Sequence, residues 1–399
     1  MNLRTVFGFP LLTLLLLLHS CSDLPVSVGV TVINDSQVSR KGEMVSINAS
    51  ELQALLQLND TAQFIILNPE GASVPYQFTY DGCVIFPANV AAGGKAVYTI
   101  QEGSPMPFES ETEGALLGKE NPSIAWAGHD MAYVTPRAHC EEEIPSAALY
   151  ALPSQADINP LGREIDNQNG QEEEEGDSIS KSAAADIDKL LTRLLQNPAT
   201  KIGGLSFIEK DSLRPLPGWQ EYEILDNGPL RLTIKLQDAP TETGGQTVVC
   251  TRIIVLDAGT PLNKVTIHFN DTMRPFRLAA TLPLGEACSS SFAETESGLL
   301  AVANQATADD GNNVTTYRGC AFPILPVKTG VKKKAHDDIS QKDCEEYAFA
   351  VVENCPKTEL SYYFGATRDK KRFPTWESWV AYLARFVEAS RAPLRTKME

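Results

Sequence analysis

Two adjacent residues, His129 and Asp130, are the strongest candidates for proton transfer in this 399-residue chain. They follow Trp126, whose ring is able to stack on a sugar, and Gly128. An imidazole beside a carboxylate is a general acid/base arrangement, because the carboxylate orients the ring and stabilises its protonated form. The same segment also fits a plain turn between strands, in which Gly128 lets the chain bend and His129 is solvated.

A second histidine, His268, lies between Ile267 and Phe269. Successive side chains of a strand point to opposite faces, so His268 points away from the apolar face of its two neighbours. That other face is either solvent or a cleft. We therefore take His129, Asp130 and His268 together as the candidate catalytic residues, and expect a working site to bring them into one cleft.

Several tyrosines and arginines are candidates for binding a sugar, because arginine grips carboxylates with two parallel hydrogen bonds. Tyrosines on half-buried strands are equally ordinary in a core. The sequence has no CxxC, HExxH or GxSxG motif and no Gly-rich phosphate loop, so we expect neither a metal nor a cofactor. The candidate substrate-binding residues are Trp126, Tyr133, Tyr317, Arg318 and Tyr362.

The elements that must position these residues are mostly strands. Apolar residues alternate with polar ones over 26–32 and 230–236, which is the period of a strand. Two apolar runs, 76–80 and 83–86, flank Asp81 and Gly82, which predicts a hairpin. Many strands and few helices indicate stacked antiparallel sheets.

Three helices are predicted beside these strands. One covers 51–58 with Asn48 or Ser50 as its cap, and one covers 183–196. The third is an apolar helical face over 376–387, capped by Thr375. The polar segment 157–181, with four consecutive glutamates, predicts a solvated or disordered loop.

The N-terminus predicts export. Residues 1–20 contain a basic residue followed by an apolar run, which is typical of a signal peptide. Leu18 and Ser20 precede Cys21 in the pattern that lipoprotein processing requires, so we expect a lipid on Cys21. The mature protein would then be anchored to a membrane and face the periplasm or the cell surface.

The composition excludes one class of partner. The formal net charge is -17, from 34 Lys+Arg and 51 Asp+Glu, whereas a nucleic-acid binder needs a basic footprint. Of the eight cysteines, seven are left if Cys21 is lipidated, so at least one would not pair within the chain. Cys344 and Cys355, close in sequence, form the best candidate disulfide.

Eight segments of the chain form a recognisable set: 40–45, 74–77, 80–82, 85–87, 222–231, 256–264, 363–366 and 379–394. Through them the chain resembles domain-of-unknown-function family 4861 over nearly its whole mature length. The resemblance implies an exported protein of Gram-negative bacteria, commonly found in polysaccharide-utilisation loci, with a galactose-mutarotase-like supersandwich behind a small β domain. It also implies processing of acidic plant or algal glycans, as a hydrolase, lyase or dehydratase.

One segment departs from the family. Where the family commonly has Trp-Glu-Asn-Asp, this chain has Trp126, Ala127, Gly128 and His129, so two acids are replaced. Either Asp130 supplies the acid or this member has lost the family's activity.

We therefore expect an all-β fold with a few short helices. A signal peptide at 1–20 precedes a small β-sandwich at 21–103, a linker at 104–120 and an antiparallel supersandwich at 121–399. We expect a monomer that acts on uronate-containing oligosaccharides as a hydrolase or lyase. The alternative is a lipoprotein of the same fold that binds glycans without catalysis.

Overall fold

The computed structural model describes residues 26–57, 63–117, 122–138, 149–153, 201–209, 212–270, 274–285, 287–307, 313–332, 346–354 and 359–399. Several sequence predictions lie outside these ranges. They are the signal at 1–20, the lipid site Cys21, the polar segment 157–181, the helix at 183–196, and the pair Cys344 and Cys355.

The N-terminal part of the chain is a sandwich of two small sheets. The first sheet contains, in order, β28 (Arg395–Met398), β1 (Ser27–Ile33), β7 (Lys95–Glu102), β3 (Phe64–Leu67) and β4 (Ser73–Val74). The second contains β2 (Arg40–Asn48), β6 (Cys83–Val90) and β5 (Gln77–Phe78). Apolar residues at alternate positions of β1, β2, β6 and β7 meet between the sheets as one core.

Two local predictions in this sandwich are confirmed. β5 and β6 pair as the expected hairpin, with Gly82 at a φ of 75° in its turn. Helix α1 (Ala49–Leu56) begins two residues earlier than predicted, and the Asn48 side chain accepts a hydrogen bond from the backbone N–H of Glu51.

The large sandwich contains three main sheets. One five-stranded sheet contains β12 (Lys201–Ile202), β11 (Leu149–Pro153), β10 (Met131–Pro136), β9 (Ser123–Gly128) and β8 (Thr112–Leu117). The other contains β14 (Ser212–Pro215), β13 (Gly204–Glu209), β21 (Phe276–Pro283), β26 (Tyr347–Asn354) and β25 (Lys328–Lys332). The eight-stranded sheet contains β15 (Trp219–Gly228), β16 (Arg231–Asp238), β19 (Cys250–Asp257), β20 (Leu262–Phe269), β27 (Leu360–Thr367), β24 (Asn313–Ala321), β23 (Leu299–Thr307) and β22 (Cys288–Glu294). A separate small ribbon pairs β17 (Thr241–Thr243) with β18 (Gln246–Val248).

Both five-stranded sheets pack on the same face of the eight-stranded sheet. Their apolar side chains join alternate residues of β16, β19, β20 and β27 in a single continuous core. The antiparallel pairing and the paucity of helices confirm the predicted all-β class.

Helix α2 (Trp376–Arg391) covers part of the opposite face of the eight-stranded sheet. Its buried residues Trp379, Leu383 and Val387 pack on small and apolar residues of β23 and β24. Thr375 caps the helix as predicted, in a reciprocal pair of hydrogen bonds with Ser378. Within the described ranges, no helix is long and apolar enough to cross a membrane.

The boundaries of the large sandwich differ from the predicted boundaries at both ends. β8 lies inside the predicted linker, 104–120, yet it pairs with β9 of the large sandwich. β28 lies inside the predicted large domain, 121–399, yet it pairs with β1 in the N-terminal sheet. The chain therefore returns at its last strand to the sandwich in which its first strand lies.

Candidate functional site

The turn between β9 and β10 holds the candidate pair. Gly128 and Met131 close this hairpin, so His129 and Asp130 are its two turn residues. A Cβ at Gly128 would lie 2.6 Å from Leu256 Cδ2, so any other residue here would force the Leu256 side chain to shift. His129 has a φ of 58°, a left-handed conformation that is uncommon in residues other than glycine. Such strain is concentrated at functional sites, where the surrounding structure maintains it.

Asp130 connects the turn to the end of β27. Its Oδ1 lies 2.6 Å from His129 Nδ1. Its Oδ2 accepts hydrogen bonds from the hydroxyl of Thr367 at 2.9 Å and the backbone N–H of Arg368 at 2.5 Å. The carboxylate therefore has partners on both oxygens and fixes the imidazole relative to the eight-stranded sheet.

The pKa of Asp130 is lowered. Burial acts to raise it, but the hydrogen bonds from His129, Arg368 and Thr367 outweigh burial because they stabilise the charged form. Asp130 is therefore ionised at neutral pH, and it serves as an acceptor that orients His129 rather than as a proton donor.

The other imidazole nitrogen of His129 faces two charged groups. Arg372 Nη1 lies 3.3 Å from His129 Nε2, and it also donates to the carbonyl oxygen of Gly259 at 2.8 Å. Asp369 Oδ2 lies 3.8 Å from the same Nε2. An Nδ1–H that donates to Asp130 assigns the proton to Nδ1, so Nε2 carries a lone pair and accepts from Arg372.

A run of charged residues, Arg368–Asp369–Lys370–Lys371–Arg372, follows β27 and borders the histidine. We call this run the basic loop. Arg368 Nε donates to the hydroxyl of Thr316, and Lys370 Nζ to the carbonyl oxygen of Asn313. Asp369 and Arg372 are not among the site residues predicted from the sequence. The available signal was four cations within five residues directly after a strand.

The structure places Trp126 and Tyr133 in the core instead of on a sugar-binding face. Both side chains are fully buried, and their rings stack at 5.8 Å. Trp126 Nε1 donates to Asn263 Oδ1. The hydroxyl of Tyr133 donates to the carbonyl oxygen of Pro261 and accepts from the backbone N–H of Ala366. These bonds hold the β9–β10 hairpin against β20 and β27. Trp126 and Tyr133 therefore support the turn from within the core.

Three further predicted binding residues are also buried. The guanidinium of Arg318 donates to the carbonyl oxygens of Lys201 and Pro283 and to Asn304 Oδ1. Tyr362 donates to the carbonyl oxygen of Gly203, and Tyr317 stacks against Trp379 under α2. Binding of a sugar by these side chains would require surface that they do not expose.

His268 lies apart from the pair. Asp130 is bonded to Thr367 at the end of β27, which lies beside the start of β20 because Leu262 pairs with Gly365. His268 lies near the far end of β20. Positions 262 to 268 span about 20 Å at the ordinary rise of a strand. His268 is exposed and points away from the core, as its place between two apolar residues predicted. The structure therefore brings His129 and Asp130 together but does not bring His268 to them.

The arrangement offers one group able to accept a proton, an imidazole that is oriented by a carboxylate and 17% exposed. Both neighbouring carboxylates are engaged, since Asp369 Oδ1 accepts from the backbone N–H groups of Lys371 and Arg372. In the part of the chain that the structure describes, no three His, Cys, Asp or Glu residues are grouped as metal ligands.

Two solved structures are similar to the chain: an alpha-mannosidase from Enterococcus faecalis V583, and a protein in the glycosyl hydrolase family 38 from Enterococcus faecalis. The identities are 9% and 8%, and the TM-scores are 0.45 and 0.40. Each match covers 94% of this chain but only 46% or 47% of the other, so the chain spans about half the length of either.

No curated protein matches the chain. The family model described as Domain of unknown function (DUF4861) matches residues 32–146 and 199–396, which is most of both sandwiches. The chain belongs to the family described by that model.

Proposed function

We propose that this protein is a lyase-type enzyme that acts on uronate-containing oligosaccharides, with His129 as the base. The observation that carries the proposal is the contact of 2.6 Å between His129 Nδ1 and Asp130 Oδ1 beside the basic loop. This contact leaves Nε2 as the position that can accept a proton, and the strained backbone of His129 supports a functional role for the turn.

Hydrolysis by two carboxylates fits the site less well. Such a mechanism needs one carboxyl group that is protonated and a second that is ionised, and the two must flank the scissile bond. Asp130 has partners on both oxygens and a lowered pKa, so it is a poor proton donor. Asp369 is held by backbone N–H groups of its own loop. Proton abstraction by the imidazole is the chemistry that remains.

Elimination on a uronate follows directly. Nε2 takes the proton on C5, the carbon next to the carboxylate, and the C4–O bond breaks as a C4–C5 double bond forms. The departing oxygen takes a proton from water. Elimination requires that the carboxylate charge be offset while the C5 proton leaves, and cations of the basic loop are placed for this.

The charge of the basic loop supports an anionic substrate. The whole chain has a net charge of -17, yet four cations occur within five residues beside His129. On an acidic protein, a local positive patch attracts an anion, while the negative remainder of the surface repels it. Lys371 and Arg372 are both exposed, and Arg372 contacts the imidazole.

We also propose that the protein is exported and anchored by a lipid on Cys21, as its N-terminal pattern indicates. Incorporation of labelled fatty acid into the wild type, and its loss in Cys21→Ser, would test the anchor. An enzyme held at a membrane in this way meets oligosaccharides outside the cytoplasm.

The activity is tested with a panel of pectic and ulvan-type oligosaccharides. Absorbance of the unsaturated uronate reports elimination, and reducing ends without that absorbance report hydrolysis. We expect the absorbance to rise with wild type and to stay at background with His129→Asn, a residue that tolerates the left-handed backbone. His268→Asn, on the exposed far end of β20, is the matched control and should retain activity.

A second candidate is a protein that binds acidic glycans without catalysis. The contact of Arg372 with His129 Nε2 favours it, because this contact occupies the nitrogen that would accept the proton. Calorimetric titration on the same panel separates the two functions. Binding with no product from any substrate would support the second candidate, and product formation would exclude it.

A further inference from the structure

Arg372 holds a position between the base and the solvent. Its guanidinium lies 5.3 Å from the ring centroids of both Phe373 and Tyr382. Nη1 contacts His129 Nε2 at 3.3 Å and the carbonyl oxygen of Gly259 at 2.8 Å. The residue is nevertheless exposed. None of these contacts is made to a carboxylate, although Asp369 Oδ2 lies 3.8 Å from the same Nε2.

We propose that Arg372 is a specificity-determining latch, which covers His129 Nε2 until a substrate carboxylate draws the guanidinium away. This inference rests on the proposed function and adds to it the means by which the site distinguishes acidic from neutral sugars. Binding of the substrate carboxylate and exposure of the base become one event, so a neutral sugar leaves the latch closed.

The exchange of partners is favourable on physical grounds. A guanidinium forms two parallel, charge-assisted hydrogen bonds with a carboxylate, and these are about twice as strong as bonds to neutral acceptors. The bonds that Nη1 would give up are a contact of 3.3 Å to an imidazole nitrogen, longer than the usual 2.9 to 3.0 Å, and one of 2.8 Å to the carbonyl oxygen of Gly259. Neither acceptor is a carboxylate. The rings of Phe373 and Tyr382, which meet edge to face, can keep the planar guanidinium in contact as it pivots.

The backbone around Arg372 stays fixed during such a movement. Asp369 Oδ1 accepts from the backbone N–H of Lys371 at 2.9 Å and of Arg372 at 3.0 Å. The next residue, Phe373, is buried, and its backbone N–H donates to the carbonyl oxygen of Asp369. Only the side chain of Arg372 needs to turn, so the latch needs no movement of the loop.

The test compares free uronate oligosaccharides with their methyl esters, which keep the sugar and lose the charge. We expect the wild type to prefer the free acid in kcat/KM. In Arg372→Gln we expect kcat/KM on the free acid to fall by about tenfold or more, because a charge-assisted hydrogen bond is lost. On the ester, kcat should rise or stay constant, because the base is now uncovered. Arg372→Lys should restore part of the preference.

The control variant is Arg395→Gln, which removes the same charge from an exposed ion pair with Asp35 in the N-terminal sheet. It should keep the kinetics of the wild type on both substrates. The latch is refuted if Arg372→Gln keeps the wild-type preference for the free acid, or if it loses activity equally on acid and ester. A wild type that forms no product from either substrate would instead refute the proposed function.

Discussion

The side-chain amide of Gln77 is hydrogen-bonded to both backbone polar groups of Arg231. Oε1 accepts from the N–H of Arg231 at 2.8 Å, and Nε2 donates to its carbonyl oxygen at 3.0 Å. Oε1 also accepts from the N–H of Leu230 at 2.8 Å. Gln77 belongs to the N-terminal sandwich and Arg231 to the large one. The Gln77 side chain therefore joins the two sandwiches by the pair of backbone hydrogen bonds that a neighbouring strand would make.

Replacement of Gln77 should destabilise the whole protein. Gln77→Ala leaves buried backbone groups without partners, so we expect the free energy of unfolding in urea to fall by about 1–3 kcal/mol. Gln53→Ala, on the exposed side of α1, is the control and should change it by less than about 0.5 kcal/mol. Equal stability of the two variants would show that the contact does not hold the sandwiches together.

Replacement of His129 by glycine should separate stability from function. Glycine adopts the φ of 58° without strain, which releases about 1 kcal/mol, while the hydrogen bond to Asp130 is lost. We therefore expect a free energy of unfolding within about 1 kcal/mol of the wild type, with no product from uronate oligosaccharides. Retention of activity by a folded His129→Gly would exclude the imidazole as the base.

The lowered pKa of Asp130 predicts how its contribution depends on pH. A carboxyl group with a lower pKa in the folded state stabilises the protein above its unfolded pKa, about 3.9. That stability is lost as the pH falls through the folded pKa. The free energy difference between wild type and Asp130→Asn should therefore be constant near neutral pH and shrink in acid. Urea titrations over a pH series measure it, and a difference unaffected by acid would contradict the assignment.

We expect Arg318 to contribute to stability and not to glycan binding. Burial lowers the pKa of its guanidinium to about 10, and its hydrogen-bond acceptors include carbonyl oxygens from two other segments. Arg318→Met should cost about 3 kcal/mol or more of unfolding free energy, because several buried acceptors lose their donor. The fraction that folds should bind glycans with unchanged affinity. If Arg318→Met kept the stability of the wild type but lost affinity for glycans, Arg318 would belong to the binding site.

The sequence was informative where a local rule decides the outcome. The β5–β6 hairpin, both helix caps and the outward direction of His268 follow from turn chemistry, capping and alternation. It was misleading for Trp126 and Tyr133, because an aromatic residue on a strand gives the same sequence pattern whether its side of the strand faces a core or a cleft. Only the packing of three sheets makes that side of β9 and β10 a core.

The site was predicted only in part, for a related reason. His129 and Asp130 are neighbours in sequence, so their contact was visible there. Asp369 and Arg372 reach the same imidazole from more than 200 positions away, because β27 ends beside the β9–β10 turn. No spacing rule connects these segments, since the pairing of β20 with β27 determines where they meet.

The return of β28 to β1 has a consequence for assembly. An ion pair between Asp35 and Arg395 marks this junction across 360 positions of sequence. Loop closure over that distance is slow compared with the formation of local hairpins. Until β28 arrives, β1 has an unpaired edge beside β7, the kind of edge on which strands of other molecules add. The last strand therefore covers the edge of β1, and the exposed edge of the finished sheet becomes the four-residue β28 instead of the seven-residue β1.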